Sequence, residues 1–282
     1  MEKVEQATKP KKRFKLFGYT IWRILAYFII YSVLGYIIET IFGIITKGTW
    51  ESRQSFLYGP FCGIYGLGAV IMILSLQYFN QNNNRLFWGG FLVGSIIEYV
   101  VSWIGEILLN VKWWDYSNMP LNLNGRICVF FSIFWGLLAI YLMSYINPRV
   151  DRLINWIKSK ISINKLKVIT LGVTIFLFID CVLTGYALKF FIIRKVHDNN
   201  IQIVNKDQLD IVYNEIYSNE KLVDFIEKFW NDRKMIRTFP NLKIKDKDGN
   251  LIYFADYVGD IQPYYYKFNF NLRRNKDEIF NE

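Results

Sequence analysis

Residues 86–109 read LFWGGFLVGSIIEYVVSWIGEILL, a run without a cation and with two acids, Glu98 and Glu106. A membrane-spanning helix needs about 20 mostly apolar residues, so this run predicts one. Within it Gly90, Gly94, Glu98, Ser102 and Glu106 recur at every fourth residue. On a helix that spacing makes one slowly turning stripe of small and acidic side chains. Small residues let another helix come close, and the carboxylates then face that helix instead of lipid. An unpaired ionised carboxylate is costly there, so Glu98 should be paired, hydrated or protonated. Intramembrane acids are functional by default, the alternative being a structural hydrogen bond between helices. Glu106, near the end of the run, can be solvated.

Working outward, four more apolar runs are bounded by polar breaks: about 19–45, containing Arg23 and Glu39; 56–79 and 127–146, both uncharged; and 168–188, containing Asp180. The fold class read from this is an all-α membrane protein of about five transmembrane helices with a small α+β C-terminal extension. Residues 1–18 form a basic tail, 19–195 the membrane domain and 196–282 a polar C-terminal domain. In the first span Gly35, Glu39 and Gly43 are four apart, and in the fifth Thr184 follows Asp180 by one turn. The first, third and fifth spans are therefore expected to face a shared interior, with Glu39, Glu98, Glu106 and Asp180 lining a transport path.

Residues 1–195 hold 21 Lys/Arg against nine Asp/Glu, and residues 196–282 hold 13 against 15. The cations flank apolar runs, so anionic lipid headgroups explain them better than nucleic acid does. Most collect at the N-terminus, at Arg85 and between 149 and 167, which predicts a cytoplasmic N-terminus and, with five spans, a C-terminal domain outside. Between spans four and five, Val150, Leu153, Ile154, Ile157 and Ile161 recur at helical spacing. A surface helix over about 149–163 follows, either an anchor or, through Arg152, Lys158 and Lys160, a docking site for a partner.

The second span opens with Gly59, Pro60, Cys62, Gly63 and Gly66. Pro60 lacks a helical donor, and glycine lets backbones approach closely. Two readings stand: a broken helix lining a cavity, or a tightly packed helix start. The outer loop carries Trp113, Trp114 and Tyr116, a membrane-interface belt, together with Asp115, Asn122, Asn124 and Arg126. Asp115 and Arg126 can pair, or bind a headgroup or phosphate with the asparagines. In the C-terminal domain, Leu222, Phe225, Ile226 and Phe229 predict a helix, and Asp246 to Asn250 a turn between two extended segments. Cys62, Cys128 and Cys181 have no paired spacing and His197 is the only histidine, which disfavours a metal centre or a histidine-based triad. No cofactor is expected.

The segments 35–39 (GYIIE), 58–66 (YGPFCGIYG), Glu98-Tyr99 and 113–128 together resemble the bacterial putative ABC-transporter type IV family of permease-like membrane proteins. The resemblance covers roughly residues 25–190, and Thr238 to Leu242 resembles a segment found downstream in such proteins. It implies a permease subunit served by a separate ATP-binding subunit. The chain itself has no P-loop, because Gly43 and Gly48 are followed by Thr49 and Trp50 where Lys and Ser/Thr are required. Two alternatives are a carrier driven by protons or ions, for which a homo-oligomer would supply more helices, and an enzyme acting on a lipid-linked substrate. The enzyme reading is weakest, for want of an evident nucleophile beyond Ser117 or Cys128. Lipid is the expected environment, and nucleic acid is not an expected partner.

Overall fold

The computed structural model describes residues 15–79, 82–109 and 112–268; most of the basic N-terminal tail lies outside them. A short ribbon, β1 (Lys15–Leu16) and β2 (Tyr19–Thr20), leads into α1 (Ile21–Lys47). The helix ends where Gly48 takes a left-handed conformation (φ 64°) and its amide bonds the Ile44 carbonyl, a conformation that glycine adopts without a Cβ clash. The membrane bundle continues with α2 (Gly63–Leu76), α3 (Asn83–Leu109), α4 (Val129–Tyr141), α5 (Asn147–Lys160) and α6 (Ile163–Asp198). Four helical stretches are long and apolar enough to cross a bilayer, namely α1, α3, the continuous α4–α5 and α6; the helical stretch Gly63–Phe79 is apolar but shorter. Large exposed apolar side chains such as Ile41, Phe42, Ile96 and Phe178 suit a lipid surround.

The small-residue stripes do pack, but against different helices from those expected. A Cβ on Gly90 would lie 2.2 Å from the Ala139 Cβ, and one on Gly94 would lie 2.5 Å from Trp135. The Ser95 hydroxyl bonds that of Ser132 at 2.6 Å. The partner of α3 is therefore α4, whose Ser132, Gly136 and Ala139 are buried small residues on one face. The stripe of α1 is taken by α2. A Cβ on Gly66 would fall 2.2 Å from the Ser32 Oγ, and one on Gly35 would fall 2.3 Å from the Tyr65 Cβ.

The expected surface helix is a continuation of α4 through a π-helical turn, Leu142–Ile146, just before Pro148. Proline withholds one donor, and a wider turn absorbs that loss. Val150 and Ile154 are buried, Asp151 pairs with Arg23 at 2.7 Å and accepts the Tyr27 hydroxyl, and Tyr31 donates to Asn147 at 3.1 Å. One face of α5 is thus held by α1, while Arg152, Lys158 and Lys160 stay exposed.

With 36 residues, α6 is roughly 54 Å long and exceeds the expected 168–188 at both ends. Its last two turns enter a core formed with α7 (Lys206–Tyr217), α8 (Glu220–Phe229) and α9 (Asp232–Thr238), where Phe191, Val196, Ile226, Met235 and Phe254 are buried. The turn at 246–250 joins β6 (Lys243–Lys245) to β7 (Leu251–Tyr253) as an antiparallel pair. The final strand, β8 (Tyr264–Lys267), pairs with β3 (Thr49–Glu51), directly after α1. The Lys112 amide also donates to the Lys243 carbonyl. The C-terminal segment therefore caps the end of the bundle that carries residues 48–62 and 112–128.

Candidate functional site

The second apolar run is expected to be helical from residue 56, but the helix starts at Gly63. Gly59 stands at φ 80°, Pro60 has no donor, and the segment Ser52–Cys62 is irregular. Irregular backbone at membrane depth must find other partners for its amides. These do: the Leu57 amide donates to the Thr184 Oγ1 at 2.8 Å, the Tyr58 amide to the Asp180 Oδ2 at 3.1 Å, and the Cys62 amide to the Ser32 carbonyl at 2.9 Å. The Gly63 amide donates to the Ser55 Oγ at 3.1 Å, and Gln54 Nε2 donates to the carbonyls of Phe56 and Leu57. The second span is thus a helix that begins late, at Gly63, after an irregular approach, and its start is close-packed, a Cβ on Gly63 lying 2.7 Å from the Phe56 ring. Asp180, 1% exposed, serves the irregular segment.

Glu39 and Glu98 lie elsewhere, each held by neutral donors. The Tyr65 hydroxyl meets the Glu39 carboxylate at 2.5 Å. Glu98 accepts the Tyr116 hydroxyl at 2.8 Å and the Trp135 indole N–H at 2.9 Å. Tyr116 stacks on Phe131 at 4.6 Å. Glu39 and Glu98 are thus each held by a phenol, in two separate hydrogen-bonded groups. Tyr65 and Trp135 were not singled out from sequence, because aromatic residues in apolar runs carry no mark of their hydrogen bonds.

Glu106 is not simply solvated. It pairs with Arg126 at 2.6 Å and with Lys245 at 3.4 Å, so the pairing of Arg126 with Asp115 does not occur. Asp115 instead binds Lys112 at 3.1 Å and the Ser117 hydroxyl and amide. Burial opposes its ionised form, but these donors prevail and hold its carboxyl below the usual range. Asn122 bonds the Gly125 amide and the Ser117 and Met119 carbonyls, Asn124 donates to the Tyr99 hydroxyl, and the Trp114 indole donates to the Arg126 carbonyl. These hydrogen bonds tie the loop to itself and to the hairpin β4 (Asn122–Leu123) and β5 (Ile127–Cys128), while the Arg126 Nε is buried without a partner among the described residues.

A cavity of about 850 Å³ lies against the irregular segment, in the size range of small-molecule sites. It is lined by Phe28, Glu39 and Lys47 of α1, by residues 52–56, 62–65 and 67, by Trp113 and Trp114, and by the capping segment 238–243. Glu39 and Arg53 both line it. Arg53 pairs with Glu51 at 2.7 Å and lies over Gly43, where a Cβ would come within 2.6 Å of its guanidinium. The segment Thr238 to Leu242 forms the cavity's roof, and Asn241 bonds both Lys47 and Glu51. Among the described residues, no group of three or more His, Cys, Asp or Glu is placed to hold a metal ion.

No curated protein and no solved structure matches the chain. A family model described as "Putative ABC-transporter type IV" matches residues 26–185, which takes in the irregular segment and all the carboxylates discussed here. The chain is a membrane, transport-related protein and belongs to that family.

Proposed function

We propose that the chain is the membrane-embedded, permease-like subunit of a transport system of the cell membrane. Its N-terminus is cytoplasmic, and its substrate site is the cavity beneath the C-terminal cap. The observation that carries this reading is the shortened second span and the irregular segment before it. A continuous helix would be the least costly way to cross a bilayer, yet this chain commits Asp180 and Thr184 to holding an irregular segment beside an 850 Å³ space. Irregular backbone at membrane depth is tolerated where it is buried in protein or lines a cavity, and such a cavity is where a substrate would sit. Energy then has to come from an ATP-binding partner. We assign its docking to Arg152, Lys158 and Lys160 on the outer face of α5, at the far end from the cavity.

One specific observation favours a second reading, an ion-coupled carrier. Two carboxylate–phenol pairs, Glu39–Tyr65 and Glu98–Tyr116, lie within the apolar helices, and groups of this kind can pass protons.

The test is to isolate the tagged chain in mild detergent and identify its companions by mass spectrometry. A stoichiometric ATP-binding subunit, lost when Arg152, Lys158 and Lys160 are replaced by Gln, is the expected result. Its absence, where a known control complex survives the same treatment, would favour the carrier.

A further inference from the structure

The cavity's lining is apolar in part and cationic in part. Phe28 and Lys47, both on α1, line it, and 19 residues of helix separate them by roughly 28 Å. That is close to the ~30 Å thickness of a bilayer's hydrocarbon core. The Phe28 end is also walled by Ile64 and Leu67, whereas the opposite end gathers Lys47, Arg53 and Lys243. Leu67 on α2 and Cys181 on α6 line the cavity and are also exposed, so the cavity reaches the surface of the apolar bundle at these two residues.

At the cationic end two donors are left over. The Arg53 Nε is buried without a hydrogen-bond partner. Lys243 forms no ion pair among the described residues, its ammonium standing 5.3 Å from the Tyr253 ring. One carboxylate, Glu51, is shared between Lys47 and Arg53, so positive charge remains in excess there. The acid that lines the cavity, Glu39, lies two turns deeper and is engaged by Tyr65.

We infer that the occupant is a membrane amphiphile, its hydrocarbon tail beside Phe28 and Leu67 and its anionic head group against Arg53, Lys47 and Lys243. This rests on the reading of the cavity as the substrate site and names the class of substrate. A water-soluble anion would leave the apolar length of the cavity unfilled, and a neutral lipid would leave the cations unanswered. Entry is sideways from the bilayer, past Leu67 and Cys181.

The test uses the full chain in phosphatidylcholine vesicles, with a phosphatidylglycerol that carries a photoreactive group in its acyl chain. Saturable labelling of peptides 24–47 and 54–85 is expected, displaced by unlabelled phosphatidylglycerol but not by added phosphatidylcholine. Lys243→Gln, which breaks no ion pair, and Arg53→Gln should each raise the half-saturating lipid fraction about tenfold. Alkylation of Cys181 reports occupancy independently and should slow as the anionic lipid is added. Labelling that is equal for the neutral lipid, or unchanged in both variants, overturns the inference. If glycerol 3-phosphate alone protects Cys181 and phosphatidylglycerol does not, the amphiphile is wrong and the cavity reading stands. If neither protects Cys181 and no labelling saturates, both fail.

Discussion

Asp180 and Glu98 are both buried acids in membrane helices, and their surroundings set them to different tasks. Asp180 accepts a backbone amide from an irregular segment, and Thr184 accepts the neighbouring one. Removing either acceptor strands a buried N–H, at a cost of about 1–3 kcal/mol. Asp180→Ala and Thr184→Val should therefore lower the thermal midpoint in detergent, while Asp180→Asn, which keeps an acceptor, should lower it less. Glu98 accepts from Tyr116 and Trp135, and glutamine can still accept from one of them. Glu98→Gln should leave expression and melting near wild type; under the ion-coupled reading it abolishes transport, and full transport would remove Glu98 from proton transfer. Sequence spacing marked both acids. It did not separate their roles, because the partners of Asp180 lie more than 120 positions away in the chain.

At the scale of elements, packing is decided by where helix backbones touch. Gly66 of α2 meets Ser32 and the Phe28 carbonyl, whereas Gly172 of α6 has open space around it. Gly66→Ala should destabilise the chain by about 1–3 kcal/mol. Gly172→Ala, in an exposed helix interior, should be neutral or stabilising by up to about 1 kcal/mol. Equal melting of the two variants would mean that α1 and α2 are not in contact there. The existence of the helices was legible from their apolar runs, as was the turn at 246–250, whereas the start of α2 was not, because the apolar run continues through residues 56–62 without a charged residue. The length of α6 was not, because Lys189 reads as the polar end of the span, with Arg194 and Lys195 beyond it. Their charges are instead met by Asp232, at 2.5 Å each, which lets the helix run on into the C-terminal core. Nor was the β3–β8 pairing legible, since strands of three and four residues more than 200 positions apart leave no periodic trace.

Taken whole, the molecule is a bundle closed at one end by its own C-terminal segment, and acidic groups help fasten that end. Donors from Ser117 and Lys112 overcome the effect of burial on Asp115, and Lys206 with His197 lowers Asp210. Both carboxyls titrate below the ordinary aspartate value when folded. Their stabilisation is therefore complete above about pH 4 and is lost as pH falls through the folded values. The contribution of Asp210 is small because solvent screens it. Asp115→Asn should melt earlier than wild type at pH 7, by the equivalent of about 1 kcal/mol, and the gap should close toward pH 3. A gap that is constant with pH would remove Asp115 from this role.

The claim on which the account depends is that the second span begins only at Gly63, behind an irregular segment that walls a cavity. An electron cryomicroscopy map of the full chain in lipid nanodiscs tests it most directly. The account predicts non-helical density over residues 52–62, in contact with Asp180 and Thr184, and an elongated space under residues 238–243 that holds density of its own. A continuous helix from residue 56, with the C-terminal segment packed flush against it, would contradict the account.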